Sequence, residues 1–162
     1  RVDGPAVEKN NGTYREWWFN DKLHRLDGPA IERDNWDCEW WVEGQLHRSN
    51  GPAKELSNGD REWYKEGQLH CSDGPAIKRA NGDREWWVNN ECHRLDGPAI
   101  IRGNGDCEWW VHNKLHRLHG PAKELANGDR EWYVDGKRHR LDNPAIIRAN
   151  GDEEWWKNGH LY

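Results

Sequence analysis

The sequence predicts an all-β fold, an elongated array of tandem β-hairpins in which seven repeats of about 23 residues follow one another. Three observations predict it: a proline period, two tight-turn signals in each period, and a pair of aromatic residues between the turns. A hydrophobic content of 34% is low for one compact core of 162 residues, whereas 13 Trp and 4 Tyr are unlike a disordered chain. The aromatic surface therefore has to be buried between repeats.

The proline period fixes the repeat boundaries. One interval between successive prolines is 24 residues and the other five are 23, and we place the single extra residue near Asn10. Each proline marks one repeat, and the chain, 1–162, is a single repeat domain. The prolines are Pro5, Pro29, Pro52, Pro75, Pro98, Pro121 and Pro144. The repeats span 1–26, 27–49, 50–72, 73–95, 96–118, 119–141 and 142–162.

Each repeat contains two tight-turn signals, which predict two short strands. Pairs such as Asn81-Gly82 favour a two-residue type I′ hairpin turn, since both central residues of that turn need a positive φ. Asn35-Trp36 departs from this pattern. A second signal, such as Asp135-Gly136, follows the aromatic pair. We expect the second strand to be broken, because the proline of each Asp-Gly-Pro segment cannot donate a hydrogen bond to a ladder.

The two aromatic residues of each repeat form two columns. Neighbouring side chains of a strand point to opposite faces, so the columns lie on opposite faces of the sheet. The first column is always Trp, and we predict that it forms the buried structural core; the second admits Tyr, and we predict that it is the wetter face and the candidate binding surface. The first column is Trp17, Trp40, Trp63, Trp86, Trp109, Trp132 and Trp155. The second is Trp18, Trp41, Tyr64, Trp87, Trp110, Tyr133 and Trp156.

The segment 131–139, Glu-Trp-Tyr-Val-Asp-Gly-Lys-Arg-His, resembles the core of the MORN repeat, whose units are also about 23 residues long and carry Glu-Trp-x-x-Gly-Lys-x-His. The likeness recurs at 39–47 and 62–70 and less completely in the other repeats, so it covers the whole chain. It is nearest to the variant MORN repeats of bacterial and viral proteins. After the His this chain has Arg and Leu-Asp-Gly-Pro-Ala where MORN repeats have a Gly-x-Gly step, and it doubles the aromatic. The resemblance implies a MORN-like solenoid or twisted antiparallel sheet, used as a scaffold or binding surface.

Columns of His and Glu look like metal or catalytic sites, and the repeat geometry argues against both. If each repeat adds two strands of ~4.8 Å, successive copies lie about 10 Å apart, whereas zinc ligands sit ~2.0 Å from one shared ion. We expect each His to hydrogen-bond the loop of its own repeat, and each Glu to pair across strands with an Arg. We therefore predict no metal site, no cofactor and no enzymatic activity. The columns are His24, His47, His70, His93, His116 and His139; Glu16, Glu39, Glu62, Glu85, Glu108, Glu131 and Glu154; and Arg25, Arg48, Arg94, Arg117 and Arg140.

Charge and cysteine placement restrict the partners and the compartment. A net charge of −5 with both signs interleaved is unlike the basic surface of a nucleic-acid-binding protein. No apolar run approaches the roughly 20 residues of a membrane span, so we expect no membrane partner. Cys38 and Cys107 lie three repeats apart, and Cys71 and Cys92 fall in different columns. We therefore expect free thiols, which favour a reducing compartment such as the cytoplasm.

A second period of 69 residues relates repeats two to four to repeats five to seven, so that Cys38 recurs as Cys107 and Tyr64 as Tyr133. A duplication of three repeats explains it, and so does a superhelix with three repeats per turn. The sequence lacks Met, so we expect Arg1 not to be the start of translation. Joining Tyr162 to a second Arg1 would continue the repeat, and we expect the ends to meet other repeats, in a longer chain or head to tail.

These features predict a non-enzymatic structural or interaction repeat protein, whose partner is another protein or further copies of itself. It would act as a scaffold or as a self-assembling, filament-forming module. The alternative is a carbohydrate- or cell-wall-binding module, in which second-column aromatics stack on sugar rings beside Asn, Asp and His. A saturable change in Trp fluorescence on adding glycans would favour that alternative.

Overall fold

The computed structural model describes residues 6–9 and 13–162, so the predictions for Pro5 and Asn10 lie outside the described residues. Throughout this part of the chain the regular structure is all-β, in tandem antiparallel hairpins. Within it, no helical segment has the length and apolarity needed to cross a membrane. Two compact halves are present: the N-terminal half extends to Ala80 and includes Val88–Asn90, and the C-terminal half comprises Asn81–Trp87 and Glu91–Tyr162.

The strands are short, two residues each except the first two. The first fourteen are β1 (Val7–Lys9), β2 (Tyr14–Glu16), β3 (Trp18–Phe19), β4 (Lys22–Leu23), β5 (Ile31–Glu32), β6 (Cys38–Glu39), β7 (Trp41–Val42), β8 (Gln45–Leu46), β9 (Lys54–Glu55), β10 (Arg61–Glu62), β11 (Tyr64–Lys65), β12 (Gln68–Leu69), β13 (Ile77–Lys78) and β14 (Arg84–Glu85). The others are β15 (Trp87–Val88), β16 (Glu91–Cys92), β17 (Ile100–Ile101), β18 (Cys107–Glu108), β19 (Trp110–Val111), β20 (Lys114–Leu115), β21 (Lys123–Glu124), β22 (Arg130–Glu131), β23 (Tyr133–Val134), β24 (Lys137–Arg138), β25 (Ile146–Ile147), β26 (Glu153–Glu154), β27 (Trp156–Lys157) and β28 (His160–Leu161).

Each half is built on an antiparallel ladder of seven strands. In the N-terminal half the order is β1-β2-β5-β6-β9-β10-β13, and in the C-terminal half it is β14-β17-β18-β21-β22-β25-β26. Beside the ladder, the strands left over form small two-stranded hairpins, β3–β4, β7–β8 and β11–β12 in the N-terminal half and β19–β20, β23–β24 and β27–β28 in the C-terminal half. We call these the side hairpins. Each of these strands therefore pairs with one close in sequence, as tandem hairpins require.

A repeat thus has four strands, and the prediction of two was wrong. The first-column Trp is the reason, because the chain changes its hydrogen-bonding partner there. Trp109 N donates to the carbonyl of Ala122 in the following repeat, whereas Trp109 O accepts from His116 N within its own side hairpin. The first contact belongs to the ladder and the second to the side hairpin. Trp109 therefore lies between the ladder strand β18 and the side-hairpin strand β19, and its backbone bonds both elements.

The type I′ turn occurs at the second turn signal of each repeat and not at the Asn-Gly signal, where it had been predicted. In the side hairpins both central residues have positive φ, 50° at Asp135 and 77° at Gly136, which is the type I′ pattern. In the Asn-Gly turns only the glycine does, with 93° at Gly59, so the type I′ prediction there was wrong. Gly59 N donates to Leu56 O, and Leu56 N donates to the carbonyl of Asp60. This is a three-residue loop whose last residue is left-handed, and the glycine serves that position.

The fully buried side chains are small or aliphatic. Both aromatic columns are half-buried, with Trp18 and Trp155 more exposed, although the first column had been predicted to form the core. In the C-terminal half Trp86, Trp87 and Trp110 pack against Cys92, Ala99 and Ile100, so both columns cover the core rather than form it. An indole is large enough that its edge reaches solvent even when most of it is covered. The buried hydrophobic residues are Ala30, Ile31, Leu46, Ala53, Ala76, Ile77, Cys92, Ala99, Ile100, Leu115, Ala122, Ala145 and Ile146.

Candidate functional site

In five repeats the first-column Trp is covered on one ring face by an arginine. The guanidinium carbon of Arg25 lies 3.8 Å from the centroid of the Trp17 ring, and that of Arg48 lies 3.7 Å from the Trp40 ring. The same stacking holds Arg94 on Trp86 at 4.0 Å, Arg117 on Trp109 at 3.8 Å and Arg140 on Trp132 at 4.0 Å. A cation over an indole face is attracted by the ring quadrupole. In each case the arginine follows its Trp by eight residues.

The same arginine bonds the Asp-Gly-Pro loop that follows it. Arg25 Nη1 donates to the carbonyl of Pro29 at 3.1 Å and to Glu32 at 3.0 Å, while its Nε donates to Asp27 at 2.9 Å. Every arginine of this column donates to the proline carbonyl four residues on. The predicted pairing of this column with the Glu column was therefore wrong. The guanidinium instead stacks on the indole, while its N–H donors go to the proline carbonyl and, for Arg25, to Asp27 and Glu32.

The Glu column pairs with arginines outside the predicted column, as Glu62 does with Arg79 at 2.6 Å, and it also accepts hydrogen bonds from the second aromatic column. Trp87 Nε1 donates to Glu85 at 3.0 Å, and Tyr64 Oη donates to Glu62 at 3.0 Å. Because indole and phenol both bring a donor to the carboxylate two residues earlier, Trp and Tyr can replace each other there. The partial burial of Tyr64 raises its pKa to about 12, with the neighbouring Glu62 carboxylate adding to the effect. The second column is therefore tied to the sheet at its polar end.

The His column joins one repeat to the next. The backbone amide of Glu43, in the second repeat, donates to His24 Nδ1 in the first at 3.2 Å, and Glu66 N donates to His47 Nδ1 in the same way. Asp135 N and Asn158 N do so for His116 and His139. Each of these His residues therefore bonds the side-hairpin turn of the following repeat rather than its own loop as predicted, although His47 Nε2 also lies 3.4 Å from Ser49 Oγ in its own repeat. The turn amide is a donor that would otherwise be left without a protein partner.

The aspartate after each Asn-Gly turn makes a second contact between repeats. Asp60 Oδ1 accepts from Ala80 N at 2.8 Å, and Asp83 Oδ1 accepts from Gly103 N at 2.7 Å. These backbone hydrogen bonds lower the pKa of both carboxyl groups below its ordinary value. The contact recurs for Asp37, Asp106 and Asp129. The repeated polar residues thus act mainly in holding successive repeats together.

The positions of the His, Cys, Asp and Glu side chains bear on metal binding and thiol chemistry. Within the described residues, no group of three or more His, Cys, Asp or Glu side chains is placed to hold a metal ion. All four cysteines are free thiols. Cys92 is 3% exposed, and its burial raises the pKa of the thiol to about 12, which makes it a poor nucleophile near neutral pH.

A row of exposed leucines was missed by the sequence analysis. Leu95, Leu118 and Leu141 follow the stacked arginines of three successive repeats in the C-terminal half, and they are 79%, 69% and 61% exposed. The recurring His-Arg-Leu tripeptide was visible in the sequence and could have revealed them. We call these three residues the leucine row. In the N-terminal half the equivalent positions hold Leu26, which is 81% exposed, and then Ser49 and Ser72.

The chain has no match among protein-family models or among curated proteins. Its own geometry therefore carries the functional argument.

The third repeat departs from the others beside its first-column Trp. Cys71 stands where five other repeats have the stacked arginine, and Ser72 stands where most have leucine. Lys78 Nζ lies 4.9 Å from the centroid of the Trp63 ring, farther than the guanidinium carbons of the other repeats. A groove of about 630 Å³ runs past Trp63, Cys71 and Lys78. Grooves of similar volume, about 640 and 680 Å³, occur beside other repeats, so the missing arginine is what distinguishes this one.

Proposed function

We propose that this protein is a non-enzymatic interaction module that binds protein through the leucine row. The supporting observation is the exposure of three leucines at the same position of three successive repeats. Single exposed leucines are ordinary on protein surfaces, whereas an apolar row with a fixed period is typical of an interaction surface. Covering each leucine would stabilise a complex by roughly 1.5–3 kcal/mol before the cost of association.

The period of the row favours a second copy of the chain as the partner. Each repeat adds two ladder strands at ~4.8 Å, so neighbouring leucines lie about 10 Å apart. A partner must offer apolar contacts at that spacing, and the repeats of a second copy of the chain have the same spacing. Self-association through the row makes the protein a scaffold or filament-forming module of the kind expected from its sequence.

Sedimentation velocity over a wide concentration range tests this proposal. The variant Leu95→Ser/Leu118→Ser/Leu141→Ser adopts the residue that Ser49 and Ser72 already supply at equivalent positions. We expect the wild-type protein to associate as its concentration rises and the triple variant to remain monomeric. Leu26→Ser is the matched control, because this leucine is followed by serines and belongs to no row. If the wild-type protein were a monomer at every concentration, the proposal of self-association would be refuted. If the triple variant associated as strongly as the wild type, the leucine row would not be the interface.

Membership of the MORN-like group is part of the same proposal. The MORN-like segment 131–139, in which the doubled aromatic adds one residue between Trp and Gly, runs from the end of β22 through the side hairpin β23–β24 and its Asp135-Gly136 turn. Most of the motif thus lies in one side hairpin, which supports the assignment. Carbohydrate binding by the second column has less support, because its polar ring ends already donate to the Glu column and only ring faces remain for a sugar.

A further inference from the structure

Five repeats show how this fold holds a guanidinium group. The group lies on the face of the first-column Trp and donates to a proline carbonyl, and in Arg25 and Arg94 it also donates to the aspartate two residues on. The guanidinium also lies close to the glycine of the loop. A Cβ added to Gly28, Gly51 or Gly97 would come within 2.8–3.2 Å of the guanidinium carbon. An aromatic face, a carboxylate, a carbonyl and a bare glycine together make a pocket for a planar cation.

The third repeat has the same pocket without an arginine of its own. Trp63 supplies the aromatic face, Asp73 the carboxylate and Pro75 the carbonyl. A Cβ added to Gly74 would meet nothing within 4 Å, so the place of the guanidinium is open space there. Among the described residues, neither the Asp73 side chain nor the Pro75 carbonyl has a hydrogen-bond partner. Cys71, whose side chain is much shorter than that of arginine, leaves all these groups accessible from the groove.

Lys78 is the side chain nearest to replacing the missing arginine, and it does so incompletely. Its ammonium lies 4.9 Å from the Trp63 centroid, against 3.7–4.0 Å for the guanidinium carbons. It leaves the space at Gly74 open. At the equivalent ladder position the preceding repeats place Glu32 and Glu55, which accept from the stacked arginine. Lys78 therefore competes for the ring face without satisfying Asp73 or Pro75.

We propose that this pocket, lined by Trp63, Asp73, Gly74 and Pro75, is a docking site for an arginine side chain exposed on a protein partner. A guanidinium is planar and carries five donors, so it can stack on the indole while donating to the carboxylate and to the carbonyl. An ammonium offers the charge without the plane and fills the pocket less well. The site is independent of the leucine row, which lies in the other half of the molecule.

The test uses the full chain labelled with ¹⁵N and follows the indole N–H signals by NMR, with Trp63→Phe to assign the Trp63 signal. The probe is the capped tripeptide Gly-Arg-Gly. We expect a saturable shift of the Trp63 signal with a dissociation constant in the millimolar range, as suits one side chain. The lysine and citrulline analogues of the peptide are expected to shift it much less. No shift, or equal shifts with all three peptides, would overturn the proposal.

Matched variants separate the pocket from general surface binding. Cys71→Arg restores the arginine of the other repeats and is expected to abolish the shift, whereas Cys71→Ser leaves the pocket open and is expected to retain it. Lys78→Glu removes the competing cation and restores the acceptor of the preceding repeats, so binding should tighten several-fold. Arg94→Cys should open an equivalent pocket at Trp86 and transfer a peptide-dependent shift to that indole. Retained binding in a folded Cys71→Arg would place the peptide elsewhere and refute the site.

Discussion

At the scale of single residues, the second aromatic column is defined by what its ring donates. Trp41 Nε1 donates to Glu39 at 2.9 Å, and Tyr133 Oη donates to Glu131 at 2.7 Å, although one ring is an indole and the other a phenol. The carboxylates are largely shielded; Glu39 is 8% exposed. A shielded carboxylate that loses a donor retains its desolvation cost, so the hydrogen bond matters more here than on an open surface.

Tyr64→Phe should lower the free energy of unfolding by about 1–2 kcal/mol, because it removes the donor to Glu62 and keeps the ring. Urea denaturation followed by circular dichroism measures the change. Tyr64→Trp is the matched control: it supplies the indole donor that the other repeats use, and we expect it to cost less. If Tyr64→Phe were as stable as the wild-type protein, the hydrogen bond to Glu62 would contribute nothing to the free energy of unfolding.

The raised pKa of Tyr64 should also make the stability of the protein depend on pH in the alkaline range. Its pKa is about 12 in the folded protein and 10.0 ordinarily, so between these values the unfolded chain ionises while the folded protein remains protonated. The contribution is complete below pH 10.0 and is lost as the pH rises towards about 12. The free energy of unfolding, measured from pH 9 to 11, should therefore fall more steeply with pH in the wild-type protein than in Tyr64→Phe. Parallel declines would mean that the folded and unfolded pKa values agree.

At the scale of elements, the repeat period and the sites of its turns could be read from the sequence, since Pro, Gly and Asn act locally on the backbone. The partners of the polar columns could not. Arg117 stacks on Trp109, eight residues earlier, because the chain folds back through the side hairpin β19–β20, and the strand period alone contains no sign of that reversal. The division of each repeat into four strands depends likewise on Trp109 N reaching Ala122 O in the next repeat, a contact absent from any isolated hairpin.

In each repeat a turn joins two successive ladder strands, and we call it the ladder turn. The ladder turn of the second repeat, between β5 and β6, has a Trp where the following repeats have a glycine. Trp36 has a φ of 71° and is 84% exposed, whereas Gly59 and Gly82 at equivalent positions have 93° and 95°. A left-handed conformation costs an ordinary L-residue about 1–2 kcal/mol, and glycine avoids this cost. Trp36→Gly should therefore raise the free energy of unfolding by about 1 kcal/mol, which urea denaturation can measure.

Trp36→Ala separates backbone strain from loss of the exposed ring. Alanine removes the indole but keeps a Cβ in the left-handed conformation, so we expect it to give little of the gain seen with glycine. If alanine stabilised as much as glycine, the benefit would come from removing an exposed apolar ring. If glycine destabilised the protein, the indole would be making a contact that outweighs the strained turn.

At the scale of the whole molecule, each repeat depends on its neighbours through a constant set of polar contacts. The aspartate of one ladder turn holds the amide of the next, as Asp129 does for Ala149. The histidine of one repeat holds the next side-hairpin turn, as His139 does for Asn158. Because these bonds and the packing of the buried Ala and Ile residues are made between repeats, a single isolated repeat would lack most of its stabilising contacts. Stability is therefore expected to be a sum over neighbouring pairs, as in other one-dimensional repeat proteins.

A series of C-terminal truncations at repeat boundaries follows from this dependence. Chains of residues 1–141, 1–118 and 1–95 lose one, two and three repeats, and we expect the urea midpoint to fall at each step. The isolated repeat 50–72 should be unfolded, because its few strands cannot repay the conformational entropy of ordering 23 residues without neighbours. Far-UV circular dichroism and the dispersion of indole N–H signals report on both. If the isolated repeat were folded, or the midpoint were unchanged after removal of 142–162, the contacts between repeats would not be the main source of stability. A graded decline would show that these polar bonds and buried methyl groups act as the stabilising interface between one repeat and the next.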